Sequence, residues 1–431
     1  MKRTLYNQLL QWKSKNDRKP LILNGARQVG KTYLLQEFGR NEYEKVAFFS
    51  LDRNPMVATV FEQGGSVADI LLSLSAISNV DITSGNTLVV LDEVQDCPKA
   101  LETLKYFCED APEYHVVVAG SLLGLSLHDG VSYPVGKVEE LRLYPMTFIE
   151  FLQAIDKVRL ADVLQSGNWT VINMLADEYV RLLRQYYYVG GMPAAVLAFA
   201  EQKGLKVVRE IQNQIIRDYR RDFSKHAPVG EVPRINMVWD SIPAQLAKEN
   251  KKFIYGAVKK SARAADFELA IQWLIDAGLV YKVMRANSAQ MPLKFYEDLN
   301  AFKLFMLDVG LMGAMAETSA EAMLVDNSVF TEYKGAFTEL YVLTQLKTLE
   351  MPIYYHSVDN STIELDFIVQ LDGKVWPVEV KAETNVKAKS MRTFINNHPN
   401  LTGIRFSMLP YERQDWIVNI PLYACLMIGK A

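Results

Sequence analysis

The chain has 431 residues, too many for one ordinary hydrophobic core, so two or three domains are expected. Apolar residues make up 49%, charged residues 23%, and the net charge is −3; this is a globular composition without a polycationic signature, so any nucleic-acid contact is confined to a local basic patch. Cys97, Cys108 and Cys425 are scattered and form no CxxC pair, which excludes a disulfide framework and a cysteine zinc site.

The N-terminal stretch MKRTLYNQLLQWKSKNDRKP is charged and amphipathic and lacks the apolar centre of a signal peptide. No apolar run reaches the roughly 18 residues of a membrane span, so the expectation is a cytoplasmic protein with no membrane partner.

Residues 21–24, LILN, predict a short buried strand. It runs into Gly25-Ala26-Arg27-Gln28-Val29-Gly30-Lys31-Thr32 and then a helical stretch, the strand–GxxxxGK[ST]–helix context of a P-loop. Glycines let the backbone curl so that its N–H groups face phosphate oxygens, and the helix N-terminus adds its dipole. Lys31 is placed to reach the β- and γ-phosphates of ATP, and Thr32 to offer its hydroxyl to Mg²⁺.

KVAFFSLD at 45–52 predicts a strand, and a helix is expected over about 66–77. TLVVLDEVQD at 87–96 is an apolar run that delivers two acids at the end of a buried parallel strand. Asp92 is the candidate Mg²⁺ ligand and Glu93 the candidate base that orients the attacking water. A helix is expected over about 98–109, a strand at 115–121 and another at 141–145. This alternation argues for a parallel sheet with helices on both faces, with an extra strand between the P-loop strand and the Asp-Glu strand. Ser121, at the end of VVVAGS, is either a sensor of the γ-phosphate or a plain strand-end serine. Arg27, Lys137 and Arg142 are candidate arginine-finger positions that read more simply as surface charges, so the finger is not assigned.

From about residue 146 the pattern turns helical, interrupted at Gly190-Gly191-Met192-Pro193. The run Tyr186-Tyr187-Tyr188 reads as core rather than a stacking platform. Arg217, Arg220, Arg221 and Lys225 share one helix and form either a solvated or a phosphate-tracking face. Residues 233–283 predict three short helices followed by a two-stranded ribbon, the layout of a winged helix. Its third helix carries Asp266, Glu268 and Asp276, while lysines collect earlier at Lys248, Lys251, Lys252, Lys259 and Lys260; this favours a structural or protein-contacting wing over base reading.

A helix over 329–349 contains Glu339. Three strand-like runs follow, with turns at Asp359-Asn360 and Asp372-Gly373, and a helix at about 387–397 and a strand at 403–408 complete the segment. Pairing the second and third runs as a hairpin brings Asp366 near Glu379 and Lys381, which share one face. Two acids for Mg²⁺ and a lysine beside them suit phosphodiester cleavage, with Glu339 as a fourth member; a hairpin of alternating solvated charges is the plainer alternative.

GARQVGKT, TLVVLDEVQ, VVVAGS, LYPMTFIEF, YYVGGMPAAV, IELDFIV and VEVK, in this order, resemble a prokaryotic family of AAA-type ATPases carrying a C-terminal domain of unknown function. The resemblance implies ATP binding with Lys31, Thr32, Asp92 and Glu93 in the usual roles. It also implies a C-terminal module similar to PD-(D/E)xK nucleases, including Holliday-junction resolvases, with Asp366, Glu379 and Lys381 at the motif positions. The chain departs from the family at Gly136-Lys137, where members often read Gly-Arg.

The expectation is therefore an α/β protein. Residues 1–150 form a parallel-sheet ATPase domain, 151–325 a helical segment with a winged-helix-like module, and 326–431 a restriction-endonuclease-like domain. ATP and Mg²⁺ are the expected cofactors and branched or duplex DNA a candidate partner. The oligomeric state is not readable. The alternative function is an ATP-gated switch whose nuclease-like domain binds without cutting.

Overall fold

The computed structural model describes residues 1–121, 133–248, 251–324, 331–358, 363–382 and 388–430. The expected turn at Asp359-Asn360 lies outside them. The chain divides into two compact units, one of Lys2–Tyr144 with Asp276–Leu279, the other of Met1, Pro145–Ile275 and Val280–Ala431.

The N-terminal unit is built on a parallel sheet of five strands: β1 (Leu21–Asn24), β2 (Lys45–Ser50), β3 (Thr87–Asp92), β4 (His115–Gly120) and β5 (Glu139–Arg142). Their spatial order is β2-β3-β4-β1-β5, so β4 separates the P-loop strand from the Asp-Glu strand. Every residue of β3 and β4 is buried, as expected for parallel strands covered on both faces. Leu91, Val118, Leu104 and Phe61 belong to one core cluster.

The helices Lys31–Glu42, Val67–Ser78 and Pro98–Asp110 lie where the periodicity predicts them. Ser66 and Asp69 form a reciprocal capping box that fixes the start of the second. A further helix, Pro55–Gln63, was not foreseen. It is short and rich in β-branched residues, and it is held by burying Val57 and Phe61 one turn apart.

The second unit carries a mixed sheet of eight strands: β6 (Val280–Ala286), β7 (Glu297–Met306), β8 (Ile353–Ser357), β9 (Glu364–Leu371), β10 (Lys374–Val380), β11 (Gly403–Ser407), β12 (Glu412–Arg413) and β13 (Ile417–Pro421). The order is β12-β13-β11-β10-β9-β8-β6-β7. Three helices, Val232–Leu246, Tyr255–Val258 and Ala264–Asp276, precede the antiparallel β6–β7 ribbon. That ribbon is not a free wing, because β6 also pairs with β8 and joins the C-terminal strands in one sheet.

The turn between β9 and β10 has positive φ at both Asp372 (49°) and Gly373 (70°), the geometry that closes a two-residue hairpin. At Gly191 a Cβ would stand 2.2 Å from the Met146 carbonyl oxygen, so the break in the helical pattern is a close backbone approach. Asp308 holds it from the other side, accepting from the Gly191 amide at 2.6 Å. Tyr186, Tyr187 and Tyr188 are buried, and the first two rings pack edge-on against Tyr341, as core side chains do.

Candidate functional site

The loop between β1 and the helix Lys31–Glu42 bends through positive φ at Gly25 (153°), Gln28 (66°) and Gly30 (96°). A Cβ at Gly25 would come 2.4 Å from the Leu143 carbonyl oxygen, so the first motif position has no room for a side chain. Lys31 folds back along the loop and donates to the Gly25 and Ala26 carbonyls at 2.8 and 2.9 Å. Burial pulls its ammonium down to about 8, against the upward pull of Glu93 and Asp92. Arg3 clamps the loop from outside, donating to the Val29 carbonyl at 2.8 Å and to the Tyr144 carbonyl at 2.5 Å.

Thr32, the second residue of the helix, is exposed, and its hydroxyl donates to Asp92 Oδ2 at 2.7 Å. Burial pushes the Asp92 carboxyl above its ordinary range, offset in part by that hydroxyl and by the Glu93 amide, which donates to Oδ1 at 3.1 Å. One hydroxyl and one acid side by side at the mouth of a phosphate loop fit Mg²⁺, which takes one or two protein oxygens and completes its shell with phosphate and water.

Glu93 leaves β3 in a left-handed conformation, φ 54°, which turns its side chain off the strand. Its Oε2 accepts from Gln95 Nε2 at 2.6 Å and from Ser121 Oγ at 3.2 Å. The structure thus brings Ser121, from the end of β4, to the candidate base. Gln95 and Arg3 were missed in the sequence: Gln95 sits within VLDEVQD without a motif role, and an arginine at the third residue carries no local signal.

Of the finger candidates, Lys137 is paired with Glu109 at 2.9 Å, Arg27 is half-buried with partners of its own, and Arg142 is exposed on β5 beside Asn24 in the register.

In the second unit, Asp366 on β9 accepts from the Val380 amide at 2.7 Å, where β10 leaves β9 for β11. Lys381 and Glu379 are paired at 2.7 Å. Glu339, from the helix Thr331–Lys347, is buried, its Oε2 has no hydrogen-bond partner, and its charge acts on Asp366. The expected foursome therefore comes together, and with it two lysines that were not expected. Lys251 is ion-paired to Glu339, and Lys303, on β7, donates to Glu364 Oε1 at 2.8 Å.

Burial raises the Asp366 carboxyl to about 7, helped by the neighbouring Glu339 carboxylate. Glu339 itself is held low, because the Lys251 and Lys303 ammoniums outweigh its burial. Among the described residues no group of acids, histidines or cysteines is arranged to hold a metal ion. As folded, the Asp366 and Glu379 set does not fit the Mg²⁺ expected there.

On the helix Leu205–His226, Arg217, Arg220, Arg221 and Lys225 are exposed. Arg220 pairs with Asp240 at 2.6 Å, Arg221 with Asp218 at 3.0 Å, and Arg217 donates to Gln214.

Residues 17–152 match the family profile of an AAA domain; residues 180–322 and 334–424 match two domains of unknown function (DUF8612 and DUF4143). No curated protein matches the chain. Among solved structures, the Walker-type ATPase of Pyrococcus abyssi is 13% identical, with a TM-score of 0.46 over 73% of this chain and 95% of that one. The ORC1 protein of Aeropyrum pernix in complex with DNA is 16% identical, with a TM-score of 0.29 over 74% and 92%. The RuvB Holliday junction branch migration motor of Thermotoga maritima is 13% identical, with a TM-score of 0.31 over 65% and 89%. These overlays are too loose to carry an argument. The family match over residues 17–152 and the geometry of the loop support an AAA-type ATPase domain in the N-terminal unit.

Proposed function

We propose that the chain is a Mg²⁺-dependent ATPase whose nucleotide cycle regulates a C-terminal domain of the restriction-endonuclease type, and that this domain binds its partner rather than cutting it. The observation that carries the first half is the meeting of Thr32, Asp92, Glu93 and Ser121 beside the P-loop. Thr32 and Asp92 would hold the ion, which neutralises charge on the phosphates when bound. Lys31 would exchange its loop carbonyls for phosphate oxygens. Glu93, steered by Gln95 and Ser121, would orient the attacking water and accept its proton. Loop N–H groups from Gly25 to Thr32 and the helix N-terminus would bind the remaining phosphate charge.

The lysine pairing of Glu339 and Glu364 favours binding over cleavage. A DNA-cutting domain is the second reading, supported by the placement of Asp366, Glu379 and Lys381.

The test is ATP turnover with Mg²⁺, with and without branched, duplex and single-stranded DNA. Wild type is expected to hydrolyse ATP and Glu93→Gln to bind it without turnover. Turnover that survives Glu93→Gln removes that residue from the role of base. Cleavage of any DNA, lost in Asp366→Ala, would replace the binding reading with the cutting one.

A further inference from the structure

The carboxylates of the C-terminal domain are already supplied with cations from elsewhere in the chain. Lys303 comes from the middle of β7, is only 1% exposed, and reaches Glu364 while its ammonium lies 4.8 Å from the centre of the Tyr355 ring. Lys251 comes from the segment leading to the helix Tyr255–Val258 and is ion-paired to Glu339, which is 4% exposed. Glu339 and Lys251 are 88 positions apart, and Lys303 and Glu364 are 61 apart, so neither pairing follows from local chain geometry.

Glu379 is also 4% exposed and has one oxygen on Lys381; its other oxygen, Oε2, is buried with no hydrogen-bond partner. A buried carboxylate oxygen without a donor is costly unless a cation or donor meets it in some state of the protein. The cluster thus holds two unmet acceptors, Glu379 Oε2 and Glu339 Oε2, beside the ammonium of Lys251.

The two lysines differ in freedom. Lys303 is fixed by its place in a central stretch of strand and by its aromatic neighbour. Lys251 stands at the rim, its side chain 13% exposed, on a connection between helices.

We propose that Lys251 is a built-in counter-cation that keeps this carboxylate cluster closed to divalent metal. A metal entering the present arrangement has to displace an ammonium from a buried acid, which costs the ion pair without relieving the cost of burial. With Lys251 replaced by a neutral side chain, Glu339 becomes a buried charge with Lys303 as its remaining cationic neighbour. This inference rests on the nuclease-like reading of the domain.

The experiment is a calorimetric titration of nucleotide-free full-length protein with Mn²⁺ alone. Lys251→Met is expected to bind Mn²⁺ about tenfold or more tightly than wild type, Lys251→Arg to behave as wild type, and Asp366→Asn placed on Lys251→Met to erase the gain. Equal Mn²⁺ affinity in wild type and a folded Lys251→Met overturns the proposal. A tight wild-type site that disappears in Glu339→Gln also overturns it, and this arm does not depend on Lys251→Met folding. Mn²⁺ binding by Lys251→Met with no DNA cleavage leaves the counter-cation standing while removing the cutting chemistry, so the two failures are told apart.

Discussion

Thr32 Oγ1 and Asp92 Oδ2 meet at 2.7 Å although 60 positions separate them in the chain. The meeting is produced by the sheet. β1 ends in the phosphate loop, β3 ends in Asp92, and β4 between them sets both strand ends on one edge of the sheet. Ligands of open parallel sheets bind at the carboxyl ends of the strands for the same reason.

The first prediction concerns Gln95. Its amide holds Glu93 Oε2 at 2.6 Å, so it positions the candidate base. Gln95→Ala is expected to lower kcat for ATP about tenfold and leave nucleotide affinity unchanged. Steady-state turnover paired with equilibrium nucleotide binding measures both. A loss of affinity with kcat intact contradicts the assignment.

Arg3 supports the loop from behind through two carbonyls, at Val29 and Tyr144. Arg3→Ala removes both bonds and is expected to destabilise the N-terminal unit by about 1–3 kcal/mol and weaken ATP binding. Thermal melting with and without nucleotide reads both effects. A melting temperature equal to that of wild type in both conditions counts against the clamp.

Gly191 has no space for a methyl group, since a Cβ there meets Met146 backbone at 2.2 Å from oxygen and 2.8 Å from nitrogen. Backbone cannot swing aside as a side-chain tip can. Gly191→Ala is expected to cost about 1–3 kcal/mol or more in the second unit, read by chemical denaturation. An unchanged denaturation midpoint refutes it.

His115 sets a pH dependence for the N-terminal unit. Its ring is buried, bonded at 2.7 Å to the Tyr43 hydroxyl and packed edge-on to Trp12. Burial, with the charges of Arg18 and Lys13 behind it, pulls its pKa from 6.5 to about 4. Between those values the unfolded chain binds a proton that the folded chain does not. Stability is therefore full above about pH 6.5 and falls by about 3 kcal/mol as pH drops toward 4. Denaturation midpoints between pH 4 and 7 are expected to fall less steeply in His115→Gln than in wild type; equal slopes contradict the assignment.

What the sequence made legible follows from the range of each interaction. The P-loop and the TLVVLDE strand were readable because backbone bends and burial on both faces are written into neighbouring residues. So were the order of helices and strands around Asp366 and the hairpin at Asp372-Gly373. The helix Pro55–Gln63 was not, because its propensity is poor and it forms by packing Val57 and Phe61 against the core. Arg3, Lys251 and Lys303 were not, because their partners are set by tertiary placement; Gln95 was not, because its bond to Glu93 two residues away depends on the left-handed turn there. Lys251 in particular read as one member of a lysine cluster, whereas the fold commits it to Glu339. Joining β6 to β8 likewise depends on a parallel pairing that no local pattern announces.

The account depends most on the phosphate loop gripping a magnesium triphosphate. The direct measurement is equilibrium binding of ATP to the full chain with and without Mg²⁺, for wild type and for Lys31→Ala. The prediction is saturable, Mg²⁺-strengthened binding by wild type and a loss of about a hundredfold or more in Lys31→Ala. No binding of any nucleoside triphosphate by folded wild type, or equal affinity in the two proteins, would contradict it.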